Sequence, residues 1–321
     1  MFVLALPVYD SGMFAGSEKN TSTISRRARF VRWITAWYLN LFDIDSLVVA
    51  TVRKRLDFLM GMAPVAWGVR VKKDSVGGLY AEWLTPADAP EDKLLLSWHG
   101  GAYVIGSCKS HRPFVSHIVR YAGIRALLPE YRLAPEHPFP AAVEDSVNVY
   151  RALLRQGYEP GNIVVGGDSA GGGLAVAMLL SLRDAGEPMP GAVILLSPWL
   201  DLSGQGESMI TRADRDPWFH AEHLAKITRH YCDAVELTNA LVSPVFADAT
   251  GFPQTLIQVG NDEMLLSDSE RFAENIRAGG GQVEVDVWPH MWHVWQMFIG
   301  LMPESRRAVD KLGVYIRKTI V

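Results

Sequence analysis

One stretch restricts this chain more than any other: residues 162–178, NIVVGGDSAGGGLAVAM. Ile163, Val164 and Val165 form a β-branched run of strand type. From Ala170 to Leu182 good helix formers with an apolar face follow. Ser169 therefore sits at the hinge of a strand-turn-helix. The small neighbours Gly167, Ala170, Gly171 and Gly172 suit a turn with little room for Cβ atoms. Within it, Gly167-Asp168-Ser169-Ala170-Gly171 spells G-x-S-x-G, a motif that lifts a serine oxygen on a strained turn above an α/β sheet. The helix that follows aims its N-terminal N–H groups and positive dipole end at the same place. Taken alone, these residues also suit a tightly packed βα turn or a phosphate cradle, so the rest of the chain must discriminate.

The chain has 321 residues, 49% hydrophobic and 21% charged, enough for one large domain or two small ones. A formal net charge of −4 argues against a nucleic-acid partner, whose basic footprint would dominate the balance. Cys108 and Cys232 lie far apart in sequence and read as free thiols of a reducing compartment. No apolar stretch approaches the roughly 20 residues of a membrane span. The start, MFVLALPVYDSGMFAG, lacks a basic n-region and reads as a tail or small packing segment, so a cytoplasmic location is expected.

Two regions differ in character. Residues 1–68 are expected to form a tail followed by an amphipathic helical cap segment, with a second helix over Ile44–Met60. Trp33, Trp37, Tyr38, Leu41 and Phe42 recur at helical spacing behind Arg26, Arg27, Arg29 and Arg32. The aromatic stripe reads as core or as the lining of a lid, the arginines as a solvated face. From residue 69 to 321 strands and helices alternate. Strands are expected at 68–72, 78–83, 93–98, 126–129, 162–166, 193–196, 255–259 and 283–288. Helices are expected over 113–122, 141–155, 170–182 and 305–318, with another running to Ala278 behind a capping box of Ser267 and Glu270. Repeated βα units imply an α/β fold, a mostly parallel sheet with helices on both faces. Ligands bind such sheets beyond the carboxyl ends of the strands.

A serine hydroxyl needs a base to take its proton, and the base needs an orienting acid. Asp262 follows the strand at 255–259 in GNDEMLLSDS, and His293 follows the strand at 283–288 in PHMWHVW. The order Ser, Asp, His and the placement at strand ends match the arrangement expected around a nucleophile elbow. Asp268, in a first helical turn, and Asp201, in SPWLDLS, are the rival acids, and His290 is the rival base. Two histidines three apart suggest a metal, but no ligand set completes around them. The loop SWHGGAYVIGS at 97–107 carries His99-Gly100-Gly101-Ala102, small residues whose backbone N–H groups can approach a developing oxyanion together with the N–H of Ala170. His99 itself reads as structural.

HGGA, YRLAPEHPFPAAVED at 131–145, GGDSAGG, SPWLDLS, GNDEMLLSD and HMWHVW together resemble the hormone-sensitive-lipase-like family of α/β-hydrolases, over roughly residues 70–318. The wording around DEMLLSD and PHMWHVW is most similar to the branch containing bacterial monoterpene lactone hydrolases. The resemblance implies a carboxylesterase with Ser169 as nucleophile, Asp262 as acid and His293 as base. It implies an oxyanion hole from the HGG loop (Gly100, Gly101, Ala102) and Ala170, and an N-terminal helical cap. It implies no cofactor and no metal. Two departures stand out: Ala102 replaces the usual third glycine, and Glu263 replaces the usual proline after the acid. Arg132, Glu136, Glu144 and Asp145 are expected to brace the proline-rich loop.

The expected substrate is a small-molecule ester of short to medium acyl chain. Lactones, amides or carbamates on the same triad are the alternative, since fold does not fix the scissile bond. A non-catalytic receptor is the remote alternative, opposed by the presence of His293. Trp37, Trp218, Phe219, Trp292 and Trp295 are candidates for the pocket wall, and the strand at 283–288 is a candidate edge for a homodimer.

Overall fold

The computed structural model describes residues 24–40, 49–218, 221–232 and 237–320. Two helices lead: α1 (Arg26–Asn40) and α2 (Val49–Met60). Then come β1 (Val69–Val76), β2 (Leu79–Pro86), β3 (Leu94–Trp98), α3 (Cys108–Ala122), β4 (Arg125–Pro129), α4 (Ala141–Arg155), β5 (Ile163–Asp168) and α5 (Ala170–Asp184). The chain continues through β6 (Ala192–Leu196), α6 (Ser208–Thr211), α7 (Ala221–Cys232), β7 (Thr255–Gly260), α8 (Leu266–Ala278), β8 (Val283–Trp288) and α9 (Pro303–Thr319).

The eight strands form one sheet in the order β1-β2-β4-β3-β5-β6-β7-β8. β1 and β2 are an antiparallel hairpin, β2 pairs antiparallel with β4, and every other pairing is parallel. The period of two sorts the apolar residues onto two faces. Leu94, Leu96, Ile163, Val165, Val193, Leu195 and Ile257 join a core with Leu153 of α4, Leu174 of α5 and Phe272 of α8. Leu95, Val164, Ile194 and Leu256 join the opposite core with Phe114 of α3 and Leu312 of α9. Both faces are thus covered, which is why the central strands read as unbroken apolar runs. β8 lies at one edge of the sheet.

Three expectations need correction. The capping box at the start of α8 does not form: no side chain caps this helix, and the Ser267 hydroxyl donates instead to Ser208 Oγ at 2.8 Å. The partner offered by α6 outcompetes a local turn. The aromatic stripe of α1 is not core. Ala28, Val31 and Thr35 are the buried side of this helix, while Trp33 and Trp37 are exposed; Leu41 and Phe42 lie outside the described residues. In the proline-rich loop Arg132 pairs with Asp145 and Glu144, as expected, but Glu136 pairs with Arg53 of α2 at 2.8 Å. Cys108 and Cys232 are buried and not bonded to each other. Among the described residues no helix is long and apolar enough to cross a membrane.

Candidate active site

β5 delivers its chain into a turn with no room to spare. Ser169 adopts φ 52° and ψ −123°, a backbone conformation that a non-glycine residue rarely takes and that marks a functional constraint. The surroundings hold it there. Ser169 N–H donates to Leu196 O at 2.9 Å, and Ser169 O accepts from Trp199 N–H at 2.9 Å. A Cβ on Gly171 would lie 2.2 Å from Trp98 O, so only glycine lets α5 press against the end of β3.

The HGG loop is built against this elbow. Gly101 has φ +118°, and a Cβ there would stand 2.2 Å from Ile105 O; Ala102 follows at φ 55°. Both line a cavity of about 670 Å³ that also exposes Ser169 and His293. Ala170 opens α5, where first-turn N–H groups have no intrahelical acceptor. Gly100 departs from expectation: its N–H donates to Asp168 Oδ1 at 3.2 Å. That amide is already committed to holding the loop, and Gly100 does not line the cavity.

Asp168 therefore has a role of its own. Its Oδ2 lies 3.3 Å from His111 Nε2, and both side chains are buried. Burial alone would raise the Asp168 pKa, but the charge and hydrogen bond of His111 outweigh it and hold it below the ordinary value. Burial would lower His111, and Asp168 overrides this in the other direction. The two directions agree on a buried ion pair that clips the elbow to α3. His99 stacks on Tyr131 with centroids 4.2 Å apart, and burial, with His111 nearby, pushes its pKa down to about 4, leaving it a neutral structural ring.

The carboxylate that meets His293 is not the expected one. His293 Nδ1 lies 3.0 Å from Glu263 Oε2, not from Asp262. Glu263 is fully buried, and its other oxygen accepts from Ser197 Oγ at 2.9 Å and from Gly260 N–H. Ser197 Oγ in turn accepts from Val294 N–H, next to the histidine. A buried carboxylate this well bonded is held in one position. Asp262 turns the other way. Its Oδ2 accepts from Arg32 Nη1 of α1 at 2.7 Å, and its Oδ1 lies 3.8 Å from Arg215. Two adjacent carboxylates follow β7, and the turn after Gly260 sends them to opposite sides. The tandem Asp262-Glu263 was the available signal, but sequence order favours neither member.

The rival residues are placed elsewhere. Asp201 binds Arg271, while Asp268 accepts the N–H groups of Leu200 and Asp201 at 2.9 Å each and is pushed up to about 8 by burial. His290 is exposed and offers its carbonyl to Arg32. Sequence reasoning missed Asp216, which accepts from Trp218 N–H at 2.9 Å and from Met264 N–H at 3.1 Å. Its signal was the local turn of DPW, where an aspartate bonds the backbone two residues on. Burial raises Asp216 to about 6, opposed by His293 and reinforced by Glu263, so it sits within the field of the site.

Apolar side chains make most of the cavity wall: Val49, Val52 and Leu56 from α2, Leu224 and Ile227 from α7, with Trp199 and Trp218. Of the proposed tryptophans Trp218 alone lines it. Trp292 and Trp295 are core, Trp37 is exposed, and Phe219 lies outside the described residues.

The family profile described as alpha/beta hydrolase fold matches residues 95–297. An esterase of the bacterial hormone-sensitive lipase family superposes with a TM-score of 0.89 at 40% identity, over 93% of this chain and all of that one. The chain belongs to the hormone-sensitive-lipase-like α/β-hydrolases. An acetyl-hydrolase of Streptomyces hygroscopicus is 43% identical over 243 residues, 76% of this chain and 81% of that protein. An esterase of Acinetobacter venetianus is 36% identical over 271 residues, 84% of this chain and 89% of that protein. Within this hydrolase family the elbow, the HGG loop and the histidine loop of the present chain fall inside the matched region.

Proposed function

We propose that this hydrolase is a serine carboxylesterase acting on esters of short to medium chain, with Ser169 as nucleophile, His293 as base and Glu263 as the orienting acid. One observation carries the reading: the strained Ser169 and His293 face one cavity, and the buried Glu263 holds Nδ1 of that histidine from behind. With Nδ1–H donated to Glu263, Nε2 is left as the proton acceptor, the tautomer a general base requires.

In the proposed sequence His293 takes the Ser169 proton as Oγ attacks the ester carbonyl. The oxyanion draws on the N–H groups of Gly101, Ala102 and Ala170, with Gly100 reassigned to bracing. Each such donor is worth roughly 3–4 kcal/mol in the transition state. The imidazolium charge is balanced by Glu263. The alcohol leaves with the proton from Nε2, and a water activated by the same base then releases the acid. The apolar walls from α2 and α7 support a lipophilic acyl or alcohol group, and these elements act as the cap. A volume of about 670 Å³ is ample for a small ester.

The test pairs intact mass after an organophosphonate with turnover of nitrophenyl esters from acetate to laurate. A single adduct, absent in Ser169→Ala together with turnover, is the expected result. A folded protein with neither adduct nor turnover overturns the reading.

A further inference from the structure

Half of the exposed large apolar side chains among the described residues fall between Phe30 and Trp67. On α1 they are Phe30, Trp33, Ile34 and Trp37, at i, i+3, i+4 and i+7, so they form one stripe. Trp33 is 61% exposed and Trp37 52%, and their rings stack with centroids 6.5 Å apart. Just ahead of the stripe Arg26, Arg27 and Arg29 are exposed, and α1 contains no acidic residue. α2 and the turn after it repeat the pattern: Phe58 at 63%, Leu59, and Met62 just past the helix at 68%, stand beside Lys54 and Arg55. Exposed aromatics on this scale are costly unless they meet something apolar. The cations cannot be a by-product of composition, because the whole chain carries a net charge of −4.

The α2 part of this face also adjoins the cavity. Leu59 and Arg55 line its mouth while remaining exposed, and Lys226 and Arg229 of α7 line it from the other side. Aromatic and aliphatic side chains flanked by arginine and lysine match the boundary between acyl chains and anionic headgroups. A second copy docking through the same helix brings no carboxylate to the arginines, because α1 has none.

We propose that the outer faces of α1 and α2 dock on an anionic lipid bilayer surface, bringing the mouth of the cavity to the interface from which a lipophilic ester can enter. Phe30, Trp33, Trp37, Phe58 and Met62 embed at the level of the acyl boundary. Arg26, Arg27, Arg29 and Lys54 pair with headgroup phosphates. Each cation near such a surface strengthens partitioning by about fivefold at low salt.

The experiment is vesicle co-sedimentation of the full chain carrying Ser169→Ala, so that lipid turnover does not enter. Vesicles of phosphatidylglycerol and phosphatidylcholine in equal parts are compared with phosphatidylcholine alone. The expected result is binding to the anionic vesicles, little to the neutral ones, and loss in high salt. Arg26→Ser/Arg27→Ser/Arg29→Ser should weaken binding on the order of a hundredfold, and Trp33→Ser/Trp37→Ser at least tenfold. In the otherwise active enzyme both sets should hydrolyse dissolved nitrophenyl acetate normally, which shows that they fold. Quenching of tryptophan fluorescence by lipids brominated near the headgroup should appear in the parent and vanish in the tryptophan variant. No binding at low salt, binding unaffected by both sets, or self-association that the same substitutions abolish without any vesicle binding would each overturn the proposal. Binding needs no catalysis, so its failure leaves the esterase reading standing and the reverse also holds.

Discussion

Glu263→Gln is the substitution on which the reading of the site turns. The amide is nearly isosteric, and its oxygen can keep the bonds from Ser197 Oγ and Gly260 N–H that Glu263 Oε1 now accepts. Its NH₂ then faces His293 Nδ1, where Oε2 stood at 3.0 Å. A donor there forces Nδ1 to accept, which moves the ring proton to Nε2, the atom that takes the proton of Ser169 in the proposed mechanism. The same carboxylate-to-amide change in a serine-protease triad lowers kcat by roughly 10⁴. At 1.36 kcal/mol per decade that is about 5.5 kcal/mol of lost transition-state stabilisation. Glu263→Asp keeps the charge but draws the carboxylate back by more than 1 Å, a misplacement of the kind that costs about 10². Asp262→Asn gives up contacts to Arg32 and Arg215, both partly or largely exposed, and should cost less than about tenfold. Steady-state kcat on nitrophenyl butyrate, with a thermal melt for each variant, measures all three. A fall of 10³ or more in Asp262→Asn beside a well-folded, active Glu263→Gln would refute the assignment and return the role to Asp262.

Three further outcomes follow from the packing. His111→Ala leaves the Asp168 carboxylate buried without its cation and should lower stability by about 3–5 kcal/mol, read as a shift of the denaturation midpoint. Gly171→Ala drives a methyl into the backbone of Trp98 and His99, so it should abolish turnover and depress the melting temperature; a variant melting within a degree of the parent would show that α5 does not press there. Asp216 has a folded pKa of about 6, above its ordinary 3.8, so the folded state holds that proton more tightly. Its contribution to stability is therefore present at low pH and lost as pH rises from about 4 to 6. Against the parent, Asp216→Asn should gain about 3 kcal/mol between pH 4 and pH 7, two units at 1.36 kcal/mol each, and a flat difference across that range counts against the shift.

The sequence by itself determined the architecture and the strained turn that carries Ser169, because both rest on local rules. Apolar runs of five or six residues alternating with helical patterns suit buried parallel strands, and GGDSAGG suits a tight strand-to-helix turn. His293 was legible for the same reason: it follows a cleanly alternating strand at the end where ligands bind. What followed from contacts between distant segments was not legible. Asp262 and Glu263 are neighbours, and only the placement of Ser197, His293, Arg32 and Arg215 decides which carboxylate faces inward. Gly100 carries the same kind of amide as Gly101, but the position of Asp168, 68 residues on, commits it to that carboxylate rather than to the cavity. The tryptophans of α1 showed a helical period, but a period states which residues share a face and not what covers it. In the folded chain Ala28, Val31 and Thr35 meet the body and the aromatic face is left outside. Local propensity and pattern act over one or two turns of chain. The direction of a side chain at a turn, and the partner that waits for it, are set by segments that only the tertiary structure brings together.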